Sequence, residues 1–279
     1  MAAFTRELFL QTLDEWGRYP GAFARLDASD QVAFLKAQGY ASLRDLLTHV
    51  AAWWEEGRGV IAEALKHPDK PGPKYDLDAF NAAALERFKG MSAAEFTAWY
   101  ESERQHTIAL VTSLTADQLA VRRVQGWLDA VLLEHLKEHG FDAPRFLVED
   151  ILQREWGDYV AGFSGMTAEQ QAALLQKQGF ARFQDLLAHI LAWWERGIGA
   201  LQSGSTADPQ EVEDVDAFNA LAVKRFQDLP ESQVVSQFDE TRLMLASLVD
   251  MLPDEIIARP NIQDWLRSDV LDHYYEHAL

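Results

Sequence analysis

Laid against itself, the chain repeats. Of the 26 aligned positions from Phe34 to Gly59 against Leu174 to Gly199, 14 are identical by direct count. The register is an offset of 140 through Trp16/Trp156, Phe23/Phe163, Gly39/Gly179, Asp45/Asp185, His49/His189 and Trp53/Trp193. It becomes 138 after a loop two residues shorter in the second copy, pairing the DAFN at Asp78 with that at Asp216, then Arg104 with Arg242 and Trp127 with Trp265. A period of this size is a domain length, not a solenoid repeat. The chain is therefore expected to form two like domains, residues 1–141 and 142–279, joined through the GFDAP segment from Gly140 to Pro144.

Within each copy the apolar spacing is helical. Leu46, His49, Val50, Trp53, Gly57, Val60 and Ile61 recur every three or four residues and mark one helix face, with Glu55, Glu56 and Arg58 turned away. Ser42 followed by Asp45 reads as a capping pair at the start of that helix, and the segment HPDKPGPKYD from His67 ends it. Further helices are predicted over roughly 4–25, 77–89, 92–113 and 127–139, and no stretch alternates with period two for long enough to suggest a sheet. Each copy reads as an antiparallel, all-α bundle of about four main helices with short extra helical pieces.

Composition narrows what such bundles can do. With 48% hydrophobic residues among 279, a buried core is available. No apolar run approaches a bilayer span, and the opening MAAFTRELFLQTLDEW lacks the clean apolar stretch of a signal peptide, so the expectation is a cytoplasmic protein without membrane insertion. The absence of cysteine excludes disulfides, thiolate metal sites and a cysteine nucleophile together. A formal charge of −19 with no basic stripe argues against nucleic acid as a partner.

Six of the eight histidines fall at equivalent places in the two copies: His49, His135 and His139 in the first, His189, His273 and His277 in the second. Residues four apart share a helix face, so the H-x-x-x-H in EHLKEH and in DHYYEH each offers two imidazoles to one ion, and the histidine of the WW-bearing helix would make a third. Three protein ligands with open positions are the pattern of a catalytic metal site, whereas structural zinc usually takes four. The bland alternative is a core histidine with ordinary hydrogen bonds. It suffices for His67 and His106, which have no counterpart, but less well for six that persist where about half of the best-aligned positions have changed.

With these histidines, the segments DLLTHVAAWW and DAFNAAALERFKGMSAAEF and the WL…H-x-x-x-H block, the chain resembles the DinB-like superfamily of metal-binding four-helix bundles, and most closely its ClbS/DfsB branch. The likeness runs over essentially all of both copies. It implies one histidine on the second helix and an H-x-x-x-H near the end of the last, with nickel, zinc or iron between them. It also implies a family that includes metal-dependent thiol transferases, a thiol-dependent maleylpyruvate isomerase and hydrolase-like proteins. Members are usually single bundles that often dimerise, so a covalent tandem implies an intramolecular pseudo-dimer that is a monomer or a weak homodimer. The second copy stops at Leu279, two residues past His277, and its site is expected to be the less complete of the two.

The expectation for function is therefore a His₃ site in each bundle that activates water or a thiol against a small electrophile, as a hydrolase or a thiol transferase. The alternative is a non-catalytic module that binds or sequesters a small molecule, with structural metal or empty sites. A weaker possibility is an interaction protein that recruits a partner. Around the histidines several residues remain open to two readings. Asp45 and Asp185 are first-turn acids or partners of a histidine N–H. Glu134, Glu138, Asp272 and Glu276 each precede a histidine and point about 100° away from it, which favours solvent. Arg104, Arg242, Asn81 and Asn219 either reach a substrate or tie helices together. Trp53 and Trp193 either wall a pocket or pack in the core.

Overall fold

The computed structural model describes residues 5–203 and 208–277, and the described residues are all-helical with no strand. Backbone contacts divide the chain into two compact units that part between Gly140 and Phe141. In the first unit, α1 (Arg6–Phe23), α2 (Ala28–Ala37), α3 (Leu43–Lys66), α4 (Leu77–Phe88), α5 (Ala93–Ser113) and α6 (Ala116–Leu119) precede one continuous helical run. In that run α7 (Arg122–Leu128), a π-helical turn π1 (Asp129–Glu134) and α8 (His135–His139) follow without a break.

The helices start where side chains can satisfy the free N–H groups of a first turn. Thr5 accepts from Leu8 N, Ser42 from Asp45 N and Asp76 from Ala79 N, while Ser92 and Glu95 form a reciprocal capping box. Their apolar faces then close a ring: α1 packs on α5, α5 on α3, α3 on α7 and π1, and π1 back on α1. Trp16, Leu46, Trp54 and Leu132 are buried at its centre, and removing such surface from water supplies the main driving force. Two tyrosines fasten α1 to its neighbours, Tyr100 donating to Trp16 O at 2.8 Å and Tyr19 to His139 O at 2.5 Å.

The second unit begins with α9 (Arg145–Asp150), π2 (Ile151–Glu155) and α10 (Trp156–Ser164), again one continuous run. Then come α11 (Ala168–Lys177), α12 (Phe183–Ser203), α13 (Val215–Phe226), α14 (Glu231–Met251) and α15 (Asp254–Ile257), and the described chain closes with α16 (Pro260–Leu266), π3 (Arg267–Asp272) and α17 (His273–His277). Here α12 packs on α14 and π3, α14 packs on α9 and π2, and π2 packs on π3. No described helix is long and apolar enough to cross a membrane.

The π turns were not anticipated. The run expected as one regular helix over 127–139 starts earlier, at Arg122, and widens into π1 immediately before His135. At the equivalent place in the second unit, π3 widens the helix immediately before His273. A π turn inserts one residue into the hydrogen-bond ladder and recurs at functional sites. By contrast π2 has no counterpart in α1, which is regular throughout.

Candidate metal centres

His49 lies on the buried face of α3, and its role follows from a neighbour that can only donate. The Trp53 indole, one turn further along α3, donates Nε1–H to Asn81 Oδ1 at 2.9 Å. That contact identifies the Asn81 atom as the carbonyl oxygen. The same oxygen lies 3.0 Å from His49 Nδ1, which must therefore carry the proton and donate. His49 Nε2 is left with a lone pair. The second unit repeats the arrangement: Asn219 Oδ1 accepts from Trp193 Nε1 and from His189 Nδ1, each at 3.1 Å.

The next tryptophan holds the other half of the cluster. Trp54 donates Nε1–H to Val131 O at 3.0 Å, and Trp194 donates to Asp269 O at 2.8 Å. Both carbonyls sit in the π turn that precedes the H-x-x-x-H, so each indole pins to the central helix the segment that carries His135 or His273. A glycine completes the seat. A Cβ on Gly57 would stand 2.2 Å from Trp127 Nε1, and one on Gly197 would stand 1.8 Å from Trp265 Cε2. Only a bare Cα lets the last run approach so closely. The motif H-x-x-x-W-W-x-x-G thus specifies a histidine tautomer, a π-turn anchor and a helix contact in three successive steps.

In the first unit the rings of His49 and His135 lie 4.8 Å apart between centroids, His49 and His139 5.3 Å, and His135 and His139 5.7 Å. His139 Nδ1 is 2.6 Å from Gln38 Oε1, which again leaves Nε2 as the free nitrogen. His139 Nε2 and His135 Nδ1 are buried without a hydrogen-bond partner. Burial lowers the pKa of His49, and burial with the neighbouring imidazoles pushes His135 well below the ordinary value and His139 down to about 3. The cluster is neutral near pH 7, the state in which imidazole binds a metal.

Among the described residues, the second unit's His189, His273 and His277 are the one such group whose ligand atoms all lie within 4.8 Å of one another; the first unit's three histidines are not drawn together so closely. His189 Nε2 and His273 Nε2 are 3.1 Å apart, close to the ~3.3 Å that two nitrogens at 2.0–2.1 Å from one tetrahedral ion would keep. Both His277 nitrogens are buried without a partner. Burial first, then a neighbouring histidine, holds His189 at about 4 and His277 at about 3, and burial holds His273 at about 4. This site, expected to be the less complete, has its three histidines gathered; the stretch past His277 lies outside the described residues. The two buried, unpartnered nitrogens of His277 fit a cation better than they fit an apolar core, while the His189–His273 contact suits either a shared ion or, in the metal-free protein, a hydrogen bond between the two rings.

Each cluster opens on a cavity of about 430 Å³. Glu134 and Glu138 border the first, and Glu276 borders the second, so these acids are not simply solvated as their helical positions suggested. The remaining residues resolve towards structural duties. Asp45 binds Ser42 Oγ at 2.8 Å and Asp185 binds Arg182 at 2.6 Å, so neither reaches a histidine. Arg104 donates to Leu13 O at 3.0 Å and Arg242 to Gln153 O at 3.1 Å, with Glu101 and Asp239 as their ionic partners. Both arginines tie helices together. His67 and His106 lie outside the clusters, beside Glu63 and Glu103. Asn81 and Asn219, read from sequence either as substrate contacts or as ties between helices, are ties between helices, and in that role each orients a histidine. The local signal for that was the DAFN segment present in both copies.

Comparison with known proteins adds no relative: no family model, no curated protein and no solved structure matches the chain.

Proposed function

We propose that each unit holds one divalent metal ion, through His49, His135 and His139 in the first and His189, His273 and His277 in the second, and that the chain is a tandem of two DinB-like four-helix bundles. The observation that carries this reading is the doubled lock in which a donor-only indole fixes an asparagine and the asparagine fixes a histidine tautomer. A core histidine needs a partner. It does not need its other nitrogen left unprotonated beside two further imidazoles, twice.

A bound divalent ion would supply Lewis-acid polarisation to a small electrophile or activate an incoming water or thiol. The chain's own residues orient and surround it. Asn81 and Asn219 hold one imidazole each, π1 and π3 present the other two, and the cavity beside each cluster gives a small molecule access. Hydrolysis or thiol transfer on a small substrate is the chemistry this arrangement suits. A second reading, binding without turnover, draws support from the walls of the first cavity, where Trp53, Leu77, Trp127 and Val131 offer contact surface rather than reactive groups.

Metal analysis of protein purified without an affinity tag tests the first step. Nickel, zinc or iron is expected at up to two ions per chain, with one ion lost in His49→Ala and one in His189→Ala. Unchanged metal content in both variants would overturn the reading. Product formation by the metal-loaded protein, screened over thiol-reactive and ester electrophiles, separates turnover from sequestration.

A further inference from the structure

The two clusters share a frame and part of their cavity walls, with Trp53 matched by Trp193, Leu77 by Val215 and Glu138 by Glu276, but the walls differ in aromatic and polar content elsewhere. Beside His49 the cavity is walled by Trp53, Tyr75, Leu77, Trp127 and Val131. Their rings form one connected aromatic surface: Trp53 and Tyr75 lie 5.2 Å apart between centroids, Tyr75 and Trp127 5.7 Å, and Trp53 and Trp127 6.1 Å. In the second unit the position of Val131 is taken by Asp269, that of Ala130 by Ser268 and that of Tyr75 by Glu213. Trp265 is fully buried and is not part of the cavity wall, whereas Trp127 is. Beside Trp193, Val215 and Glu276, which match first-cavity residues, the second cavity is lined by Gln210, Ser268 and Asp269.

We infer that the two halves take different ligands, and that the first cavity is the binding site for a small molecule with a planar apolar body and no negative charge. A volume of about 430 Å³ accommodates a bicyclic aromatic compound with a short polar arm. The aromatic wall favours offset or edge contacts with such a body. Glu138 and Glu134, the latter paired with Lys137 at 3.0 Å, disfavour an anion in the metal-free cavity and favour a neutral or cationic arm that lies along these carboxylates rather than against the histidine cluster and the ion it would hold. Asp269 is what the second half has in place of this wall. A carboxylate buried there, 3.7 Å from His273 Nδ1, would leave an aromatic body facing an unsolvated polar group. The inference extends the proposed function by naming a ligand class for its first site, and it rests on that cavity being the functional one.

Isothermal titration with three naphthalene probes tests it: 2-naphthylmethanol, 2-naphthylmethylammonium and 2-naphthoate, each added to metal-stripped and to nickel-loaded protein. In the metal-stripped protein the neutral and cationic probes are expected to bind with one site per chain, and naphthoate at least ten times more weakly; the nickel-loaded protein reads what an ion adds. Val131→Asp, which copies a side chain the second unit already folds around, is expected to weaken the neutral probe at least tenfold with thermal melting little changed. Ala130→Phe, which fills the cavity from an exposed position, is expected to do the same. Equal or tighter binding of naphthoate by the metal-stripped protein, or neutral-probe affinity unchanged in both variants, would overturn the inference. Probe binding by a protein that takes up no nickel, zinc or iron would leave the inference standing and remove the metal reading; metal uptake without probe binding would do the reverse.

Discussion

Asn81 illustrates how much depends on a single amide. Its oxygen serves two donors, and replacing it with an apolar side chain strands both the Trp53 indole N–H and the His49 Nδ1–H in a buried setting. Each stranded group costs about 1–3 kcal/mol. Asn81→Leu is therefore expected to lower stability by a few kcal/mol in urea denaturation and, by freeing the His49 ring, to weaken metal binding about 10–100-fold in a competition titration. Asn219→Leu should do the same for the second site. The histidines themselves make stability depend on pH. His139 and His277 at about 3, and His189 and His273 at about 4, are held below the ordinary 6.5, so between these values the unfolded chain binds more protons than the folded one. Their contribution is complete above pH 6.5 and is lost as pH falls towards 4 and below. Asp269, raised to about 7 chiefly by burial, works in the opposite sense over its own window from 3.8 to 7. Melting of the metal-free protein should fall steadily from pH 7 to pH 4, and replacing His139 and His277 with Gln should flatten that dependence.

Helices α3 and α12 each carry two glycines that differ only in what faces them, which makes an internally controlled test. Gly57 and Gly197 meet the indoles of Trp127 and Trp265, whereas Gly59 and Gly199 have nothing within 4 Å of an added Cβ. Gly57→Ala and Gly197→Ala are expected to destabilise by about 1–3 kcal/mol through overpacking. Gly59→Ala and Gly199→Ala should stabilise by about 0.5–1 kcal/mol, since an open mid-helix glycine carries only its entropic disadvantage. Chemical denaturation of the four variants reads both signs. The contrast also shows where sequence reading stops. The face and cap of α3 and the spans of α4 and α5 were legible because they are written in local spacing and, for α3, in Ser42; the caps Asp76 and Ser92 were not read from the sequence. The π turns were not, because one inserted residue in a short run leaves the apolar pattern nearly unchanged. The histidines stood out through repetition. The repeated DAFN marked their partners Asn81 and Asn219 as well, but not which side chain each holds, since Asn81 lies 32 residues from His49 and only the packing of the two helices joins them.

Across the chain, 44 acidic against 25 basic residues give a net charge of −19, and much of it is left to repel itself in solution. Raising sodium chloride from 20 to 300 mM shortens the screening length to a few ångströms and should raise the melting temperature of the metal-free protein; a flat or falling response would show that ion pairs such as Arg87–Glu55 and Arg225–Glu195 outweigh the excess charge. The paired indoles have a consequence of another kind. Trp53 and Trp193 each touch, through one shared oxygen, a histidine that they do not themselves contact by hydrogen bond. Their N–H protons are spectators wired to the clusters. Each half of the molecule thus carries one native magnetic-resonance reporter, readable without a label and without altering any residue that would hold an ion.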